Sequence, residues 1–146
     1  MRFPKILASL ALGLTLVVCP LAHADQPYTE GTVWSITFVK TKPGMQDAYL
    51  RELGGSNKAL MDAAKRDGLV LSEHIFIGLS GTREDFDVMI MTEYKNYASF
   101  DGLAPKFDAL AAKLIGTEEK QMQMMTKRAD IREILGDKVM QEVQLK

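Results

Sequence analysis

The stretch Thr32-Val33-Trp34-Ser35-Ile36-Thr37-Phe38-Val39-Lys40-Thr41-Lys42-Pro43-Gly44-Met45 carries two structural periods in succession. From Thr32 to Lys40 the side chains alternate. Trp34, Ile36 and Phe38 fall on one face, and Val33, Ser35, Thr37 and Val39 on the other, a strand of high β propensity. Thr41-Lys42-Pro43-Gly44 supplies turn chemistry. From Met45 to Arg66 the spacing becomes helical, with Met45, Tyr49, Leu53, Leu60 and Ala64 along one stripe. A strand running straight into a helix opens a β-α unit, and the rest of the chain extends it.

Gly54-Gly55 interrupts the helical stripe, so a kink is expected there, with Ser56 or Asn57 capping the second part. Gly68 stops the helix. Leu69 to Gly78 and Asp85 to Tyr94 read as two further strands, joined by a connection short enough for an antiparallel hairpin. Asn96 opens a second helical region, a short turn over 97–102 and a longer helix from near Pro105. Glu118 to Arg128 predicts a third helical segment, Gly136-Asp137 a turn, and Val139 to Leu145 a last strand. The order β-α-β-β-α-β predicts an α+β fold: a four-stranded antiparallel sheet with helices on one face. The opposite face, carrying Trp34, is too apolar to be left in water. A second copy of the chain, a ligand or both are expected to cover it.

Upstream of this domain, Arg2 and Lys5 precede an apolar run from Ile6 to Val18, and Ala22-His23-Ala24 gives the small-x-small pattern of a signal-peptidase site. The expected organisation is a signal peptide over 1–24, a flexible lead-in over 25–31 and one domain over 32–146, the mature protein being periplasmic or secreted. The apolar run is too short for a membrane span. The only cysteine, Cys19, lies in this leader, where the preceding Val18 argues against a lipid-attachment site, so the mature chain has no disulfide and no thiol. Loss of Arg2 and Lys5 lowers 18 basic side chains to 16 against 19 acidic ones, a net charge of −3. With no basic stretch or helix face, nucleic acid is not an expected partner.

The segment Phe38-Val39-Lys40-Thr41-Lys42-Pro43-Gly44-Met45-Gln46-Asp47-Ala48-Tyr49 resembles the strand-turn-helix opening of dimeric α/β-barrel (ferredoxin-like) proteins, nearest the antibiotic-biosynthesis-monooxygenase-like and NIPSNAP-like groups. Gly68-Leu69-Val70-Leu71-Ser72 and Val88-Met89-Ile90-Met91-Thr92-Glu93-Tyr94 match the pattern of the central hairpin in such proteins. The resemblance covers nearly the whole mature chain, as a pattern of elements rather than a catalytic signature. It implies a homodimer closed through sheet faces, with a pocket between sheet and helices in each subunit. The superfamily includes cofactor-free monooxygenases, haem-degrading enzymes, haem peroxidases and members without known activity, so the fold alone selects no function. Haem-degrading members use an asparagine, tryptophan and histidine set; here Trp34 on the first strand and His74 on the second depart from it.

His74 is the only histidine after the leader. It shares a strand face with Val70, Ser72 and Phe76, while Asp87, Met89, Met91 and Glu93 share a face of the next strand. The more apolar sets, Leu69, Leu71, Glu73, Ile75 and Ile77 with Phe86, Val88, Ile90, Thr92 and Tyr94, are expected to face the helices. His74 as general base with Glu93 orienting it is the catalytic reading, and a merely hydrogen-bonding interface histidine is the structural one. Trp34, Ser72, Met89, Met91 and Tyr94 are the expected ligand-binding residues, with Tyr49 and Tyr97 as further aromatic candidates. Met122, Met124 and Met125 cluster in a way that suits copper(I), yet fit a helix stripe equally well, and no metal site is expected. No phosphate-cradling glycine loop, His-x-x-x-His spacing or nucleophile elbow is present. The expected function is binding of a small, mostly apolar molecule without a cofactor. The alternatives are a cofactor-independent monooxygenase-like enzyme using His74, and a haem-binding protein with His74 as ligand.

Overall fold

A computed structural model describes residues 26–146; the expected leader and Asp25 lie outside the described residues. Strand β1 (Tyr28–Thr41) leads through a turn into helix α1 (Gln46–Glu52), a π turn (Leu53–Asn57) and helix α2 (Lys58–Arg66). Strands β2 (Ser72–Ile77) and β3 (Val88–Tyr94) follow. A 3₁₀ turn (Tyr97–Phe100), α3 (Leu103–Leu114), α4 (Glu118–Ile131) and β4 (Arg132–Leu145) complete the chain. The strands form one sheet in the order β2-β3-β1-β4, and every neighbouring pair is antiparallel. This is the ferredoxin-like arrangement that the element order predicts.

Pairing fixes the faces, because residues opposite one another in a ladder point to the same side. Trp34 pairs with Glu93, Ile36 with Met91 and Phe38 with Met89. On β2, Ser72, His74 and Phe76 pair with those same three β3 residues. Val33, Ser35, Thr37 and Val39 point the other way, toward the helices. There two apolar clusters form. One joins Val39 and Val88 to Tyr49 and Leu53 of the first helix and its π turn, and the other joins Tyr94 and Val70 to Met61 and Ala64 of α2.

Several local expectations need correction. β1 starts at Tyr28 rather than Thr32, because residues 28–30 pair with 143–145, so most of the supposed lead-in is strand. Just beyond those pairs, a β-carbon on Gly31 would approach Glu142 to 3.1 Å, which favours glycine there. β4 starts at Arg132 rather than Val139. Gly136-Asp137 is not a turn but paired strand next to a bulge: Phe38 pairs with Gly136 and Val39 with Ile134, leaving Leu135 as the extra residue. Neither Ser56 nor Asn57 caps a helix. The chain passes from α1 into α2 without a free helix start, leaving helical dihedrals only at Gly55 (φ −88°, ψ −109°). Gly68, by contrast, ends α2 in the left-handed region at φ +69°, as expected of a helix-stopping glycine. Phe86 precedes β3, so strand alternation does not reach it; its ring packs on Phe38 of the open sheet face, with centroids 4.8 Å apart.

Candidate functional site

The register gathers most of the expected site residues on the helix-free face of the sheet. The imidazole of His74 stands between Trp34 (ring centroids 5.9 Å) and Phe76 (6.4 Å). Met91 lies opposite His74, and Met89 opposite Phe76. Glu93 is on this face too, but its carboxylate accepts the Ser72 hydroxyl at 2.6 Å. Among the described residues His74 makes no hydrogen bond to Glu93, so the expected orienting pair is replaced by a Ser72–Glu93 pair. Tyr94 does not join the group. It points to the helices, buried in the second cluster with its ring 4.7 Å from that of Phe100, so it cannot share a wall with Trp34. Burial raises the Tyr94 phenol above its ordinary range, and the charge of Glu73 adds to this. Tyr49 is also buried among the helices rather than lining the open face, and Tyr97 is exposed on the 3₁₀ turn.

A second site, absent from the sequence reading, lies on the helix side at the β2 edge. The α1–π turn–α2 segment is held on both flanks. Asn57 donates its side-chain amide to both carboxylate oxygens of Glu73 on β2, at 3.2 and 3.5 Å. Its neighbour Ser56 accepts a hydrogen bond from an Arg128 guanidinium nitrogen on α4 at 3.1 Å. Single π turns inside α-helices recur at functional sites, because they displace a side chain from the helical register. Here Asn57 is the last residue of the π turn, and its side chain reaches the sheet.

Between this segment and β2 lies a cavity of about 390 Å³ lined by Leu50, Leu53, Met61, Ile75 and Glu73, with Lys58, Asp62 and Lys65 at its mouth. It falls in the range typical of small-molecule sites. Glu73 is the charged member of an otherwise apolar strand face. Its row across the sheet is polar as well, Glu73 pairing with Thr92 and Thr92 with Ser35. That row separates the two apolar clusters. Burial pushes the Glu73 carboxyl above its ordinary range, opposed by the Asn57 hydrogen bond and by Lys65. At the mouth, Lys58 bonds Asp62 at 2.6 Å and holds that exposed carboxyl below its ordinary range. Tyr49, its phenol raised by burial, has the Arg132 guanidinium 5.7 Å over its ring and feels the Glu73 charge.

Among the described residues no cluster of three or more histidine, cysteine or carboxylate side chains is placed to hold a metal, and no helix is long and apolar enough to cross a membrane.

No protein-family model and no curated protein matches the chain. Three solved structures are similar in outline. HapK from Hahella chejuensis is 9% identical, with 75% of this chain and 91% of that one covered and a TM-score of 0.49. The protein SO0527 from Shewanella oneidensis is 13% identical (80% and 94% covered, TM-score 0.45). A dimeric ferredoxin-like protein from an uncultured marine organism is 16% identical (81% and 96%, TM-score 0.45).

Proposed function

We propose that the chain is an exported binding protein that pairs with a second copy through its open sheet face and holds a small, mostly apolar molecule in the helix-side cleft of each copy. The observation that carries the ligand reading is the cleft itself. A small α+β domain gains stability from one continuous core, yet here two apolar clusters stand apart, and the cavity at the β2 edge has apolar walls from Leu50, Leu53, Met61 and Ile75, the half-buried Glu73 carboxylate, and Lys58, Asp62 and Lys65 at its mouth. Few convergent polar groups in an apolar pocket are the usual makeup of a ligand site. Filling the cleft is the test. Met61→Trp is expected to abolish saturable binding of 1-methoxynaphthalene, followed by its fluorescence, while the circular dichroism spectrum stays that of the wild type. Undiminished binding in a folded Met61→Trp protein would overturn the reading.

The second copy is supported by the size and makeup of the open face. Four strands about 4.8 Å apart and seven residues long give a footprint of about 440 Å². Trp34, Ile36, Phe38, Phe76, Met89, Met91 and Met140 share that face, which makes it apolar and large enough to mark an interface. Its apolar centre is flanked by Glu93 and Lys138, of opposite sign, with Glu142 toward one end. The expected export rests on the Ala22-His23-Ala24 pattern, and a mature mass beginning at Asp25 tests it.

One observation favours a second reading, that of a cofactor-independent monooxygenase-like enzyme resembling the antibiotic-biosynthesis group. His74 stands between two aromatic rings, a setting suited to a planar substrate. Oxygen uptake with quinol substrates that is lost in His74→Ala would support it, and uptake unchanged in that variant would remove the base.

A further inference from the structure

Resting on the cleft reading above, we propose that the cleft selects molecules carrying a weakly acidic hydroxyl, such as a phenol or enol, which donates its hydrogen to Glu73, with Asn57 as the positioning residue. An ionised carboxylate is an acceptor only, with about four lone-pair directions on its two oxygens. Asn57 supplies one amide group to that carboxylate, spread over both oxygens. Among the described residues no cation lies within ion-pair distance of Glu73: the Lys58 ammonium is engaged with Asp62, and Lys65 acts on the carboxylate only from longer range. Acceptor capacity therefore remains, directed into a cavity with apolar walls from Leu50, Leu53, Met61 and Ile75 and with Lys58, Asp62 and Lys65 as its other charged lining. A half-buried acceptor left short of donors is costly, and a ligand donor relieves that cost.

The same geometry sets the chemical class. An anionic head group seated against Glu73, past the lining Lys58 and Lys65, would meet the Glu73 charge, and a purely apolar molecule would displace water from the carboxylate and replace nothing. A neutral molecule with an apolar body and one acidic hydroxyl satisfies both walls. Its body packs on Leu50, Leu53, Met61 and Ile75, and its hydroxyl shares a proton with Glu73. The raised Glu73 carboxyl suits such sharing, since hydrogen bonds gain when the two groups are closer in acidity. Asn57 acts through Glu73. Its side chain reaches the carboxylate from the end of the π turn, and it holds the acceptor in one orientation.

A matched pair of probes tests this: 1-naphthol, and 1-methoxynaphthalene, which has the same body and cannot donate. Both are titrated by fluorescence into the full mature protein. At pH 8 the wild type is expected to bind naphthol at least about tenfold more tightly than the ether, the value of one hydrogen bond to a charged acceptor. Glu73→Gln is expected to bring the two within about twofold by weakening naphthol while leaving the ether unchanged. Asn57→Ala is expected to narrow the preference partway, and it serves if Glu73→Gln does not fold. Acidification of the wild type is expected to reduce the preference as Glu73 takes up a proton, the other groups near it being Lys58, Asp62 and Lys65 of α2, Tyr49 of α1 and Tyr94 of β3. Equal binding of the two probes by the wild type, or a preference that survives Glu73→Gln, overturns the proposal while leaving the cleft as a binding site. Binding of neither probe overturns the cleft reading and the proposal with it.

Discussion

Replacing Asn57 by alanine removes the only side-chain donor that Glu73 has among the described residues, and the cost should depend on pH in a direction the structure sets. Asn57 donates to both Glu73 oxygens, at 3.2 and 3.5 Å. A hydrogen bond to an ionised group contributes about 1.5–3 kcal/mol and one between neutral groups about 0.5–1.5 kcal/mol. Glu73 is only half buried, so the lower end of each range applies: about 1.5 kcal/mol with the carboxylate ionised and about 0.5 kcal/mol with it protonated. The sign follows from linkage. Burial raises the folded carboxyl above its unfolded value, so the native state binds this proton more readily than the unfolded chain. Ionised Glu73 is therefore a burden on the fold above the folded value, relieved as pH falls. Loss of the Asn57 donor makes that burden heavier only where the group is charged. With a urea slope of about 1.5 kcal/mol per molar, Asn57→Ala should lower the unfolding midpoint by about 1 M at pH 8 and by less at pH 4.5, falling toward about 0.3 M as Glu73 becomes protonated. In a Glu73→Gln background the same change should cost the smaller amount at both pH values. An equal shift at pH 8 and pH 4.5 in the wild-type background would refute the reasoning, as would no shift at all.

Phe76→Asp places an uncompensated charge on the open face, and the protein should then run as a monomer by light scattering at micromolar concentration while the wild type runs as a dimer. Gly68→Ala should cost about 1 kcal/mol in urea unfolding, because no atom lies within 4 Å of an added β-carbon and only the φ of +69° opposes it. Gly68→Asn should recover part of that loss, since asparagine tolerates the left-handed region. Addition of haem should give no Soret change that depends on His74, so titrations of the wild type and His74→Ala should superimpose.

The outline of the fold was legible because it rests on local periods. Trp34, Ile36 and Phe38 alternate with Val33, Ser35 and Thr37, and the register confirms both faces. The strand ends were not legible. Residues 28–30 and 132–138 carry no clear alternation, and they are strand because β1 and β4 pair along their whole length, bulges included. Gly136-Asp137 has turn composition and became paired strand beside the Leu135 bulge for the same reason. On the site, grouping His74 with Ser72, Glu93 and the two methionines needed only the period of two. Which hydrogen bond Glu93 would make depends on side-chain reach across the ladder, and there Ser72 lies directly opposite it. The cleft left two traces that went unread: a Gly-Gly-Ser-Asn interruption of a helical stripe, and a glutamate within the apolar set Leu69, Leu71, Ile75 and Ile77. Each is ordinary alone. Their meeting through the π turn is a tertiary fact, formed by residues 16 positions apart.

Methyl resonances of labelled isoleucine, leucine and methionine, followed during titration with 1-naphthol, test the central claim most directly, because the cleft and the open face carry different methyl groups. Occupation of the cleft predicts shifts at Leu50, Leu53, Met61 and Ile75, with Met89, Met91 and Met140 unmoved. Shifts confined to Met89, Met91 and Met140 would contradict it and would place the ligand on the open face of the sheet.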